Sequence, residues 1–208
     1  MEIELKYVID DREKVEKILN DPSVTEIKDE NSDESIDMHA VYFDTEDRIL
    51  SANEAAFRIR REGKKLMATL KWGGSCENGM HRREEINIPV EGEEQLVNPD
   101  MSIFDETEVG PGMKKLLKDR KVVPIMDIDF LRRQMRLDTG RAICELSIDE
   151  GEVVCGRKKD RILELEIELY SGDEGEIVRL GNEISDRYGL IAGNISKFQR
   201  GLRLLMAE

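Results

Sequence analysis

Aromatic residues are scarce in this chain, at 5% of 208 residues. Histidine is scarcer still, with only His39 and His81. Neither sits in an HExxH pattern and no CxxC occurs, so a zinc centre is not expected. Each histidine is read as structural or on the surface, with general-base work the minor reading. Cys76, Cys144 and Cys155 are odd in number and unpaired in spacing. A disulfide framework is therefore not expected, and a reducing cytoplasm is. No apolar run approaches ~18 residues, and the chain starts with charge at Glu2, so neither a membrane span nor a signal peptide is expected. The absence of a GxxxxGK[ST] loop excludes a P-loop enzyme. No nucleophile–base pair stands out for covalent catalysis.

Charge is abundant instead. Charged residues make up 38% of the chain, hydrophobic ones 39%, and the formal net charge is -14. That balance argues against nucleic-acid binding through a basic surface and against attraction to anionic membranes. The length suits a single domain over residues 1–208, large enough for a real core.

Alternation predicts strands over 2–9, 38–44, 55–62, 65–71, 82–90, 128–137, 142–149, 152–157 and 161–170. Helices are expected over 11–20, 112–118, 174–188 and 196–205. The third is the clearest, with Ile177, Leu180 and Ile184 in one stripe, Ser171 and Glu174 as a capping box, and Gly189 at its end. Segments 29–35 and 73–79 read as mobile loops. The sum is an α+β pattern.

The alternation carries like charges on one face. Ile3 and Leu5 oppose Glu2, Glu4 and Lys6. Phe57 and Ile59 oppose Arg58 and Arg60. Cys144, Leu146 and Ile148 oppose Glu145, Ser147 and Asp149. Leu165, Ile167 and Leu169 oppose Glu164, Glu166 and Glu168. A strand with one face in water explains such a pattern in general. Yet like charges at i and i+2 repel and need partners of opposite sign. The other reading is a barrel of about eight strands with a charged lumen and helices over its apolar exterior. The residue pattern alone leaves both open.

The residue types fit one chemistry. Glu2, Glu4, Asp149, Glu164, Glu166 and Glu168 supply the oxygen ligands a hard cation such as Mg²⁺ or Mn²⁺ takes. Lys6, Arg58, Arg60, Lys71, Arg83, Arg132 and Lys197 supply donors for phosphate oxygens. Together they suit a triphosphate with its counter-ions. Lys64, Lys65, Arg157, Lys158, Lys159 and Arg161 are read as solvated turn residues, and Trp72 and the nine methionines as packing residues.

Here the chain resembles a known family. The EIELK run at 2–6 resembles the ExExK signature of the CYTH superfamily, the triphosphate tunnel metalloenzymes. Tyr42-Phe43-Asp44-Thr45 resembles its YFDT segment, Phe57-Arg58-Ile59-Arg60 its LRIR strand, and Thr69-Leu70-Lys71 its TLK. Arg83-Glu84-Glu85, Asp129-Phe130-Leu131-Arg132, the 145–149 strand, Glu164 to Leu169 and Ser196-Lys197 follow in the family's order. The resemblance runs from residue 2 to about 201. It implies an eight-stranded antiparallel barrel with flanking helices, closed into a tunnel for a triphosphate.

It also implies roles. Glu2, Glu4, Asp149, Glu164 and Glu166 would bind metal, with Glu168 a further candidate. Lys6, Arg58, Arg60, Lys71, Arg132 and Lys197 would bind phosphate. Arg83 and Glu85 would line the wall, as would Glu145, and Lys6, Glu4 and Glu166 are the expected catalytic set. The likeness is to bacterial inorganic triphosphatases, many of which carry a second, helical domain after this one; here the sequence runs to Glu208. The implied activity is metal-dependent hydrolysis of tripolyphosphate or a related triphosphate. Cyclisation of ATP to cyclic AMP, as in class IV adenylyl cyclases, uses the same residue set, and nucleoside or thiamine triphosphate hydrolysis is a third option. A polyphosphate-sensing module without turnover and a plain structural β domain are the non-enzymatic readings. Oligomeric state stays open, a homodimer among the options.

Overall fold

Nine strands and six helices form in the computed structural model, which describes residues 1–207. The strands are β1 (Glu2–Val8), β2 (Glu34–Thr45), β3 (Ala55–Glu62), β4 (Lys65–Glu77), β5 (Met80–Val90), β6 (Val122–Asp138), β7 (Ala142–Cys155), β8 (Lys158–Gly172) and the short β9 (Ile191–Ala192). The helices are α1 (Glu13–Leu19), α2 (Pro22–Thr25), α3 (Ile49–Ala52), α4 (Gly110–Leu117), α5 (Glu174–Tyr188) and α6 (Lys197–Met206), with 3₁₀ turns at Glu93–Leu96 and Met101–Phe104.

The strands pair in the order β5-β4-β3-β2-β6-β7-β8-β1, and β1 also pairs with β5. That last pairing, Glu2 opposite Arg83 through Leu5 opposite Met80, closes an eight-stranded antiparallel barrel. β9 adds to β1 where β5 leaves it.

Closure decides between the two readings of the charged faces. Asp149 is 0% exposed, Glu164 1%, Lys6 3% and Glu166 6%, so this face looks into the barrel and away from bulk water. The apolar face points outward and is covered in two places. Leu5, Tyr7, Leu146, Ile148, Leu165 and Ile167 pack beneath Val15, Ile18, Ile177, Leu180 and Ile184 of α1 and α5. Phe43, Phe57, Ile59 and Leu70 pack beneath Leu50 of α3, Phe104 and Leu117. The outer face near His39 and Asp129 has no such cover. There His39 Nδ1 lies 2.6 Å from an Asp129 carboxylate oxygen.

α6 occupies the end of the barrel, with Phe198 and Leu202 against Ala40, Tyr42, Ile128, Val153 and Ile162. Phe198 stacks on Tyr42 with centroids 5.0 Å apart.

Several expectations change. Segments 142–149 and 152–157 are one strand. Gly151 carries the chain through because it passes Phe130 so closely that a Cβ would lie 2.0 Å from the Asp129 carbonyl oxygen. Segment 73–79 is the extended end of the β4–β5 hairpin, with a register shift between Trp72 and Ser75. Of segment 29–35, the last two residues already belong to β2. The cap of α5 is Asp173, which accepts from the Gly175 N–H, while Ser171 lies in β8. Among the described residues no helix is long and apolar enough to cross a membrane.

Candidate functional site

A cavity of about 280 Å³ occupies the lumen. Period-two strands deliver their charged sets into it: Glu2, Glu4 and Lys6 from β1, Arg58 and Arg60 from β3, Lys71 from β4, and Arg83 and Glu85 from β5. Arg132 comes from β6, Glu145 from β7, Glu166 and Glu168 from β8, and Lys197 from the first turn of α6. Every predicted phosphate-binding residue therefore reaches one wall. Of the six predicted metal-binding carboxylates, Glu2, Glu4, Glu166 and Glu168 do. Asp149 and Glu164 sit behind the cavity surface, each held by cations.

Beneath α6 the charges are tightly matched. Arg132 grips Asp149 with two bonds of 2.7 Å, and also bonds Glu166 at 2.6 Å. Lys197 Nζ lies 2.7 Å from Asp149 and 2.7 Å from Glu166. Lys6 Nζ is 2.9 Å from Glu166 and 3.3 Å from Glu4. Burial alone would favour neutral forms. Here it is outweighed: Glu166 and Glu4 raise Lys6, and Lys197, Lys6 and Arg132 hold Glu166 well below the usual carboxylate range. The ring of Phe130 lies under both Lys197, at 5.3 Å, and Arg132, at 5.7 Å.

Elsewhere in the lumen the matching breaks down. Lys71 bridges Glu2 at 2.6 Å and Glu85 at 2.5 Å. Against burial, its charge pulls the Glu85 carboxyl down to about 2. Arg60 is held by Glu62. Arg58, by contrast, bonds no carboxylate directly; it donates to Tyr42 Oη at 3.2 Å, its buried Nε has no hydrogen-bond partner, and only the more distant charges of Glu85 and Glu2 answer it. Arg83 donates to His81 Nδ1 at 3.0 Å. His81 is buried, its Nε2 lies 2.7 Å from the Gly193 carbonyl oxygen, and burial lowers its pKa. The ring is thus a neutral orienter of Arg83, the structural role expected of it.

Glu168 is the acidic counterpart of Arg58. It stands opposite Glu4 in the β1–β8 register and has no cationic partner. Burial and the charges of Glu2 and Glu4 push its carboxyl up to about 7.

This donor set is the test for a metal. Three glutamates crowd one side of the lumen with too few cations, and carboxylate oxygens in excess suit a hard divalent ion. Among the described residues no trio of His, Cys, Asp or Glu already stands in ligating position, so binding would require these side chains to turn toward the ion.

Sequence reasoning missed several wall residues: Tyr42, Asn87, Phe130, Gln134, Tyr170 and Phe198. Tyr42 and Phe130 lay inside quoted motifs, and their inward parity was the available signal. Asp44 of the YFDT segment is fully buried and accepts from the N–H groups of Thr45, Leu50 and Ser51, so it fixes the start of α3.

Known proteins share this architecture. The profile of the CYTH domain matches residues 1–202. An inorganic triphosphatase of Haemophilus influenzae is 27% identical over 163 residues, which is 78% of this chain and 44% of that protein. The chain thus spans less than half the length of that curated relative. Among solved structures, a Hippeastrum adenylyl cyclase candidate described as having a dominant triphosphatase activity superposes with a TM-score of 0.72. It is 20% identical, with 98% of this chain and 96% of that one covered. A Bacillus halodurans adenylate cyclase candidate gives 0.60 at 18% identity, with 96% of each chain covered. A Pyrococcus horikoshii protein gives 0.58 at 19% identity, covering 98% and 99%. At these identities the structures speak for the fold alone.

Proposed function

The chain belongs to the CYTH family, and we propose that it hydrolyses tripolyphosphate, or a related triphosphate, inside the charged lumen with the help of Mg²⁺ or Mn²⁺. One observation carries the reading: Arg58 holds a buried, unpartnered Nε in a closed lumen that six further cations also face. A buried guanidinium N–H left without an acceptor is costly unless an anion completes it. Seven carboxylates face the same cavity and offset the seven cations. A polyanion of about four negative charges therefore needs added positive charge, which divalent ions would bring.

Glu168, which no cation holds, would take such an ion together with Glu4 and Glu2, whose lysine partners Lys6 and Lys71 would have to yield, with Glu166 beside them. A divalent ion there would polarise phosphate oxygens and acidify a bound water. The chain itself positions the substrate. Arg58 and Arg83 present donors that no carboxylate occupies. Lys6, Lys197 and Arg132 hold fixed positive charge beneath the phosphates, where charge development is stabilised without reorganisation.

A panel of tripolyphosphate, pyrophosphate, ATP and thiamine triphosphate with each metal tests this. Orthophosphate release from tripolyphosphate, dependent on added Mg²⁺ or Mn²⁺ and lost in Glu4→Gln, is the expected result. No release with any divalent ion would sink the reading. Chromatography of the ATP products separates hydrolysis from cyclisation to cyclic AMP, the second reading, which uses the same residues.

A further inference from the structure

Glu164 differs from its neighbours on β8. It is on the inward face and 1% exposed, yet it does not form part of the cavity wall. One carboxylate oxygen accepts from Arg200 at 2.6 Å. The other accepts no hydrogen bond but lies at ion-pair distance, 3.0 Å from Lys197 Nζ and 3.9 Å from Lys6 Nζ. Arg200 approaches from outside the barrel. Its Nε donates to Asp160 at 2.7 Å, and its guanidinium also donates to the Arg161 carbonyl. Lys197 and Arg200 are three residues apart on α6, close neighbours on its surface. Lys197 reaches the lumen, while Arg200 lines an outer cleft between α6 and β8.

We propose that Asp160, Arg200 and Glu164 form a positioning clamp that fixes the ammonium of Lys197 in the lumen. Glu164 is then its permanent counter-charge and not a metal ligand. The inference rests on reading the lumen as a triphosphate site. Lysine is a point charge on a flexible stem, so its value to a phosphate depends on where it is held. The other two partners of Lys197 are shared, Asp149 with Arg132 and Glu166 with both Arg132 and Lys6. An arriving polyanion would redraw those shared contacts. Glu164, gripped from the far side, keeps its place and spares the site reorganisation in the reaction.

The test uses the full chain with Arg200→Gln, Arg200→Lys, Glu164→Gln and the Arg200→Gln/Glu164→Gln double variant. Tripolyphosphate binding is measured by calorimetry without metal, Mn²⁺ binding separately, and hydrolysis by its kcat and KM. Arg200→Gln should weaken tripolyphosphate binding and kcat/KM by about tenfold, the scale of losing a supporting partner. Mn²⁺ affinity should hold in both single Gln variants. Arg200→Lys should recover most of the loss, and the double variant should be no worse than Glu164→Gln, because the two act as one unit. Arg203→Gln, exposed on the same helix, should behave as wild type. Should Arg200→Gln fail to fold, Asp160→Asn loosens the same clamp from outside and should give a smaller loss in the same direction.

An unchanged affinity in folded Arg200→Gln, additive losses in the double variant, or weakened Mn²⁺ binding in Glu164→Gln overturns the clamp alone. A wild-type chain that neither binds nor hydrolyses tripolyphosphate overturns the parent reading, and the clamp with it.

Discussion

Under α6, each buried charge of the lumen touches its opposite: Arg132 and Lys197 share Asp149 and Glu166, and Lys6 completes the group. At Arg58 of β3 and Glu168 of β8 the same barrel leaves charges without a direct partner of opposite sign, Arg58 bonding no carboxylate and Glu168 no cation. The two regions are built from the same alternating strands, so secondary structure does not account for the difference. The matched region is complete by itself and holds the barrel end together. In the proposed function, an anion at Arg58 and a cation at Glu168 would complete the unmatched region, which would make it the receiving part of the site.

The comparison breaks most visibly at Asp149. Asp149→Asn leaves Arg132 and Lys197 short of a buried partner, and losing one member of such a cluster costs about 3–5 kcal/mol. Urea unfolding should show that loss in the chain without ligand. A variant as stable as wild type would mean that the matched cluster is not what secures this end.

A smaller effect separates lumen charge from exterior charge. Asp21, under the outer helices, accepts from the Ser23 N–H at 2.9 Å, from Tyr188 Oη at 2.6 Å and from Arg187. Although burial acts to raise its pKa, Arg187, Ser23 and Tyr188 hold it well below the usual carboxylate range. A depressed carboxylate stabilises the fold above its unfolded pKa of about 4, and that contribution is lost as pH falls through the folded value. Asp21→Asn should therefore cost about 1–3 kcal/mol near pH 7. The gap from wild type should narrow steadily as pH drops below about 5. A gap independent of pH would assign the cost to the geometry at the start of α2 and not to charge.

Much of this was legible in the sequence. Period two put Glu2, Glu4 and Lys6 on one face and Ile3 and Leu5 on the other, and both faces turned out covered. Parity could not say how deep a residue sits along the strand. Asp149 and Glu164 share the inward face with Glu145 and Glu166, yet lie behind the wall because α6 brings Lys197 across them. That contact joins residues far apart in the chain and leaves no mark in local spacing. Segments 142–149 and 152–157 read as two strands; the role of Gly151 in joining them appears only when β6 passes alongside. The cap of α6, Ser196 paired with Gln199, was written in the sequence and overlooked.

The claim at the centre of this account is that the unmatched region receives a triphosphate. Thermal unfolding with tripolyphosphate and Mg²⁺, for wild type and Arg58→Ala/Arg60→Ala, tests it most directly. Ligand binding to the folded state raises Tm by mass action, by about 2.7 kcal/mol of stability at a hundredfold excess over Kd. The account predicts a clear rise for wild type and none for the double variant at the same ligand concentration. Equal shifts in the two proteins, or no shift in either, would contradict it.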